Sequence, residues 1–278
     1  MTLRSYTSLL ALAFVGLAAP ALADETTVDY NGPYVAVSGG FAFADSRGSD
    51  SIVFDTNRDG TFDNTVRNSA GANAFSPGFC KGSSTLNAQT TTSCTPDDAG
   101  AEYAVRLGYD KSFGSIVAGA LIEGSKSDAT ESTTAFSSTP AGYSFTRGID
   151  YAISARARLG FSPGNRGLMY VTGGASYARI NHDFTTTNTV NSFTPVNPDK
   201  MVFGFQAGGG AEVILGGGLT LGMEYLYNRY NDNKYYEAIG AGTASPTNAF
   251  NLTGGVNARP SVEKYGFHTV RAVLGFRF

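Results

Sequence analysis

Tryptophan is absent from this 278-residue chain, histidine and cysteine occur twice each, and Asp, Glu, Lys and Arg together make up only 15%. Acid–base and metal chemistry therefore have little to work with. A zinc site lacks its ligand set, because Cys80 and Cys94 have no histidine near them. No cluster of Lys and Arg occurs and the net charge is −3, so a nucleic-acid partner has no electrostatic support. After the first two dozen residues, no run of about 18 apolar residues exists that could form a membrane helix.

What is present begins with Arg4, an apolar stretch from Leu9 to Ala19 and the A-x-A pattern Ala21-Leu22-Ala23. That order predicts a secretory signal over 1–23, with residues 24–278 as the exported domain. The 35 glycines, 15 tyrosines and 19 phenylalanines favour an all-β chain with many turns. Export places Cys80 and Cys94 in an oxidising compartment, where a disulfide closing a short loop is expected; two free thiols are the alternative.

Strands that cross a membrane run for about 9 to 11 residues and alternate lipid-facing apolar with inward polar or small side chains. Tyr34 to Phe43 does so, with Val35, Val37, Phe41 and Phe43 opposite Tyr34, Ala36, Ser38, Gly40 and Ala42. Tyr103, Val105, Leu107 and Tyr109 stand opposite Glu102, Arg106 and Asp110, and Ile116, Ala118, Ala120 and Ile122 opposite Val117, Gly119, Leu121 and Glu123. Ile149, Tyr151, Ile153, Ala155, Ala157, Leu159 and Phe161 alternate with Asp150, Ser154, Arg156 and Arg158. From Leu168 to Ile180 the facing stays open, with Arg179 alone arguing that Met169, Val171 and Tyr177 point inward. Phe203, Phe205, Ala207, Ala211 and Val213 oppose Gln206 and Glu212, while Leu219, Leu221, Met223, Tyr225 and Tyr227 oppose Glu224 and Asn228. The last segment sets Val270, Ala272, Leu274, Phe276 and Phe278 against Thr269, Arg271, Val273, Gly275 and Arg277.

Charge and large apolar residues thus occupy opposite faces. A Lys or Arg facing lipid near the bilayer centre costs roughly 2 to 4 kcal/mol, which accounts for the segregation. A soluble barrel would also segregate, with the apolar face inside. Connection lengths decide between them, since they alternate between short turns near Ser112, 162–167 and 216–218 and long polar stretches at 44–100, 125–148, 181–200 and 231–264. The expectation is an all-β, eight-stranded antiparallel up-and-down transmembrane β-barrel with both ends periplasmic and four long extracellular loops. Tyr34, Tyr109, Phe161, Tyr170 and Tyr230 are expected in its interfacial girdles.

The run GFQAGGGAEVILGGGLTLGMEYLYNRY from Gly204 to Tyr230 resembles the penultimate hairpin of the OmpA-type and opacity-type small outer-membrane barrels, with Glu212, Glu224, Tyr225 and Tyr227 in the matching places. NGPYVAVSGGFAF and HTVRAVLGFRF resemble that family's first and last strands, and Phe276 and Phe278 its C-terminal assembly signal. The first loop, 44–100, is long for the family. The resemblance implies the cell outer membrane, contact with membrane lipid and lipopolysaccharide, insertion by the barrel assembly machinery, and a structural, adhesion or envelope-integrity role toward an unnamed extracellular ligand. It also admits a narrow porin-like diffusion channel.

Two constellations stand out as sites. Glu102, Arg106, Asp110, Glu123, Asp150, Arg156, Arg158, Glu212, Glu224, Arg271 and Arg277 are expected to point inward. Their signs nearly cancel, and eight strands leave only enough room for side chains, so a plugged, salt-bridged core is expected, with a narrow or gated pore as the alternative. Asp55, Asn57, Asp59, Thr61 and Asp63 recur at alternate positions around Gly60, like the opening of a calcium loop, although Val66 stands where the bidentate Glu would be. Calcium and an ion-free Asx-type turn both remain open; no other cofactor is implied. His182 and His268 lie at strand ends without a compact hydroxyl or carboxylate motif, so no enzyme is expected. The Thr and Ser runs at 89–93 and 185–189 read as solvated loop tips.

Overall fold

The computed structural model describes residues 29–44, 50–84, 94–97, 99–164 and 166–278. The expected signal segment 1–23 and the run 89–93 lie outside the described residues. The chain is built from antiparallel strands. The eight long ones are β1 (Gly32–Ala44), β2 (Gly100–Phe113), β3 (Ile116–Ser127), β4 (Ala141–Phe161), β5 (Gly167–Thr186), β6 (Asp199–Gly216), β7 (Leu219–Asn231) and β8 (Lys264–Arg277). Each pairs with its neighbour in sequence, and β8 pairs with β1 from Tyr34↔Arg277 to Ala44↔Phe267, so the hydrogen-bonded order returns to its start. Closure of this kind leaves no long strand with an open edge.

The alternation read from the sequence holds round the ring. Val105, Ile153 and Leu274 are 60%, 59% and 46% exposed, whereas Arg106, Arg156 and Arg271 are 1–2% exposed. Met169, Val171 and Tyr177 are exposed too, which settles β5: its apolar face looks outward and Leu168, Tyr170 and Ala178 look inward. Arg179 lies on that outer face, beside Asp150 and Asp199.

Two expectations fail here. Asp150 is not inside: the β4–β5 register slips between Arg179 and Ile180, so Tyr151 faces Arg179 while Ile149 faces Ile180. The extra residue in β4 is Asp150; the bulge turns Ile149 inward and leaves Asp150 outside. Nor are Tyr34, Tyr170 and Tyr230 girdle residues, since all three are buried; Tyr109 and Phe161 are exposed as expected. The inward rings answer to buried polar and charged partners rather than to the interface.

At one end the connections are tight: two residues between β2 and β3, and Gly217-Gly218 between β6 and β7, both with positive φ of 56° and 82° that side chains resist. At the other end β4 and β5 run on for 21 and 20 residues, about twice a membrane crossing, and the connections fold rather than remaining solvated loops. Thr130–Ser137 pairs with the outer half of β4, and Gly78–Lys81 pairs with Thr130–Ser137 in turn. A separate sheet takes the order Ser192–Val196, Tyr236–Gly240, Val256–Pro260, Ile52–Asp55, joining three of the connections. Its core packs Phe54, Phe75, Tyr143, Phe145, Tyr235 and Phe250 with Ile52, Ile239 and Val256. The ring therefore carries a cap with its own hydrophobic interior. Within the cap, Cys80 and Cys94 form a disulfide with Cα atoms 6.3 Å apart.

Candidate functional site

Every second residue of each ring strand faces inward, and ten of the eleven expected charges do so: five arginines and five carboxylates. They fall into two layers. In the middle layer Arg106 donates to both oxygens of Glu224 at 3.0 and 2.8 Å. Arg156 donates to Glu123 at 2.8 Å and to Glu224 at 3.3 Å. Arg271 reaches Glu102 at 2.8 Å, Glu123 at 2.8 Å and Glu224 at 2.6 Å. Three guanidinium groups thus meet three carboxylates with no net charge. Buried charge on this scale is tolerable only when each group is paired and hydrogen-bonded.

The second layer sits nearer the tight-turn end. Arg158 donates to Asp110 at 2.9 Å through Nε, contacts it again through Nη2, and reaches Glu212 at 3.2 Å. Arg277 is bonded to Asp110 and lies 3.5 Å from Glu212. The Arg158 guanidinium lies 4.8 Å from the ring centre of Tyr34 and 4.9 Å from that of Tyr170. Arg277 lies 4.6 Å from Tyr30 and 4.8 Å from Tyr34. Cation–π contact in a desolvated site explains why these tyrosines turn inward. Tyr170 also donates to Glu224 at 2.8 Å, linking the layers, and Tyr230 bonds Ser176. Tyr30 precedes β1 and carries no strand periodicity, so nothing in the sequence marks it.

Glycine makes room for the arginines. Gly40 pairs with Arg271, Gly119 with Arg158 and Gly174 with Arg156. A Cβ on Gly40 would lie 2.0 Å from the Val270 carbonyl and 2.5 Å from Arg271 Cα.

Where cap meets ring, a second hub sits outside the apolar band, and the sequence reading missed it. Arg147 donates to Glu131 at 2.9 and 2.8 Å, to Asp232 at 3.1 Å and to the Val262 carbonyl at 3.0 Å. His182 bridges the Pro198 carbonyl at 2.7 Å and Asp232 at 3.0 Å, stacked on Tyr235 with ring centres 4.0 Å apart. Burial works against ionised Asp232, but the hydrogen bonds and charge of His182 and Arg147 outweigh it and hold the carboxyl below the usual range. Burial pushes Tyr235 upward, as does its hydrogen bond to Glu237. His268 lies on the outer face, bonded to the Tyr225 hydroxyl at 2.6 Å and stacked with Phe43.

Hydrogen bonds from side-chain oxygens to backbone amides shape the Asp55 to Asp63 segment. Asp55 accepts the Asp59 and Gly60 amides at 3.2 and 3.0 Å, and Asp59 accepts the Thr61 amide at 2.7 Å. Asn57 donates to Asp59 at 2.8 Å, and Asp63 accepts from Asn64. Among the described residues no group of three or more His, Cys, Asp or Glu side chains is placed to hold a metal. Phe276 and Phe278 meet edge to face at the end of the chain, with centroids 5.2 Å apart.

Known proteins resemble this chain in sequence and in fold. No family model matches the sequence. The 31 kDa outer-membrane immunogenic proteins of Brucella melitensis and Brucella suis are each 26% identical over 193 residues, covering 69% of this chain and 72% of theirs. The outer membrane protein OprG of Pseudomonas aeruginosa superposes with a TM-score of 0.50 at 11% identity, over 91% of this chain and 100% of that one. The outer membrane protease OmpT of Escherichia coli aligns with a TM-score of 0.41 at 11% identity, over 91% and 99%.

Proposed function

We propose that this outer-membrane β-barrel protein crosses the membrane as an eight-stranded antiparallel barrel and acts as a surface protein with a plugged lumen, in a structural, adhesion or envelope-integrity role. Strands β1 to β8 are the staves, the tight turns face the periplasm, and the four long connections form the cap outside. Membrane lipid and lipopolysaccharide cover the outward apolar residues, and Phe276 and Phe278 present the signal to the assembly machinery. The Brucella relatives are named as immunogenic; the cap is the part of this chain that an external ligand would meet.

The observation behind this reading is the layer of Arg106, Arg156 and Arg271 against Glu102, Glu123 and Glu224, drawn from β2, β3, β4, β7 and β8 and no more than 5% exposed. Strands from opposite sides of the ring meet through it, and a barrel of eight strands has a bore that side chains fill. No reaction enters the reading. His182 is engaged by a carbonyl and Asp232, and lipid A from cells carrying His268→Ala should be unchanged. Planar-bilayer recording of the purified protein tests the plug: no steady single-channel conductance is expected, and such a conductance would favour a narrow diffusion pore instead.

A further inference from the structure

At the far end of the cap, beyond the start of β4 and the end of β5, lies an open cleft of about 610 Å³. All four long connections contribute to it, through Ser69, Thr139, Asn188, Thr189, Ser245 and Asn248 among others. Among the described residues, none that lines it carries a charge. The contrast within the same cap is sharp, since the small cavity at its base is lined by Glu131, Arg147, His182, Asp232 and Arg259.

The cleft is preformed. Tyr143, Phe75 and Phe250 pack into its floor, with centroids 5.4 to 6.0 Å apart. Asn188 is fixed on both sides: its amide donates to the Tyr143 hydroxyl at 3.1 Å and to Asn191 at 2.9 Å, while its oxygen accepts the Val190 and Asn191 amides. The Thr243 amide donates to the Val190 carbonyl at 2.7 Å and ties the two walls together. Asn68 and Asn248 each close a turn by accepting backbone amides. Little ordering entropy remains to be lost when a ligand enters such a site.

An ionic ligand would shed its hydration and find no opposite charge, and an apolar one would leave hydroxyls and amides without partners. A neutral polyhydroxyl compound suits both constraints, exchanging hydrogen bonds with the Ser, Thr and Asn side chains that line the walls. We infer that the distal cleft binds short, uncharged oligosaccharides. The inference rests on the reading of the cap as the outward-facing working surface; it is tested in detergent solution, where its outcome is independent of whether the lumen conducts.

The experiment uses the full exported protein in a detergent without a sugar headgroup. Maltoheptaose, cellopentaose and lacto-N-neotetraose serve as neutral probes, with a heparin-derived hexasaccharide and an uncharged Ser/Thr-rich peptide as the contrasting ones. Saturation-transfer NMR and calorimetry should show at least one neutral saccharide bound, at least about tenfold tighter than the heparin fragment or the peptide. Thr139→Trp and Ser245→Trp, which fill the cleft, should each weaken binding by about tenfold or more, whereas Thr194→Trp on the outside of the cap should not. Thr139→Val, with one hydroxyl removed and the fold spared, should weaken it several-fold. Preserved resistance of the cap connections to limited proteolysis certifies each variant as folded. The inference fails if no neutral probe binds at about 10 mM, if the heparin fragment or the peptide is preferred, or if the cleft-filling variants bind as the parent does.

Discussion

Arg106 on β2 and Glu224 on β7 join through two near-parallel hydrogen bonds of 3.0 and 2.8 Å, although β1 and β8 lie between their strands in the sheet. The contact therefore crosses the lumen. Glu224 also accepts from Arg156, Arg271 and Tyr170. Removing one partner of a buried ion pair costs about 3–5 kcal/mol, because the remaining charge stays buried and unpaired. Glu224→Ala should lower stability by at least that much, read from urea unfolding of the folded protein in detergent. Arg106→Met combined with Glu224→Leu should cost less than the two single changes added, since it removes both signs together.

Asp232 is the corresponding anchor of the cap. Its carboxyl lies below the ordinary value when folded, so its contribution is fully present above about pH 4 and is lost as pH falls through the folded value. Asp232→Asn leaves Arg147 and His182 with a weaker acceptor, and should cost about 1.5–3 kcal/mol at neutral pH. Limited proteolysis of the 232–263 connection is the measure. Cleavage should rise in the variant and in the parent below about pH 4, while strands β1 to β8 stay protected.

Why one of these sites was legible in the sequence and the other was not follows from periodicity. Arg106, Arg156, Arg158 and Arg271 stand next to Val105, Ala155, Ala157 and Val270, and an alternation of two in a strand fixes both faces at once. Asp150 escaped because a bulge adds one residue without leaving a mark in composition. Tyr34 and Tyr170 escaped because an aromatic ring suits an interface as well as an arginine plane; only the pairing shows Arg158 between them. The packing of the cap could not be read, although its Cys80–Cys94 disulfide could. Phe54, Phe75, Tyr143 and Phe250 come from segments up to about 200 residues apart, and their contacts follow no period. Arg147 and Asp232 likewise meet only after the cap has folded.

Asp97 offers the opposite pH behaviour. Burial pushes its carboxyl up to about 6, only partly offset by the bond it accepts from the Ser132 amide at 2.9 Å. A raised folded value means that stability is lost as pH climbs from about 4 to about 6, and the loss then persists. Asp97→Asn keeps an acceptor for Ser132 and removes the charge. It should be neutral near pH 4 and stabilising at pH 7, on the order of 1 kcal/mol after allowance for solvent screening. Hydrogen exchange at the Ser132 amide reads this locally.

The disulfide divides cap from ring in a different way. Cys80 and Cys94 close a loop with a sequence separation of 14, and a loop of that size gains about 3 kcal/mol from the constraint on its unfolded state. All of that gain belongs to the first connection, since neither cysteine lies in β1 to β8. Cys80→Ser with Cys94→Ser should speed proteolysis within 50–99 and leave the heat-dependent gel mobility of the barrel unchanged.

Val105 and Arg106 are consecutive, yet one is 60% exposed and the other 2%. For a soluble protein that ordering would be inverted, with Val105→Arg harmless on a wet surface. In hydrocarbon the same substitution should cost roughly 2–4 kcal/mol, because the guanidinium loses its water and gains no partner. Val105→Leu should cost almost nothing, and Arg179, beside Asp150 and Asp199 at the edge of the apolar band, should tolerate exchange for Lys. Unfolding of the three variants in lipid bilayers and in detergent micelles separates the cases. A Val105→Arg penalty that grows in the thicker, less deformable bilayer identifies lipid as the solvent of that face; equal and negligible penalties would return Val105 to water.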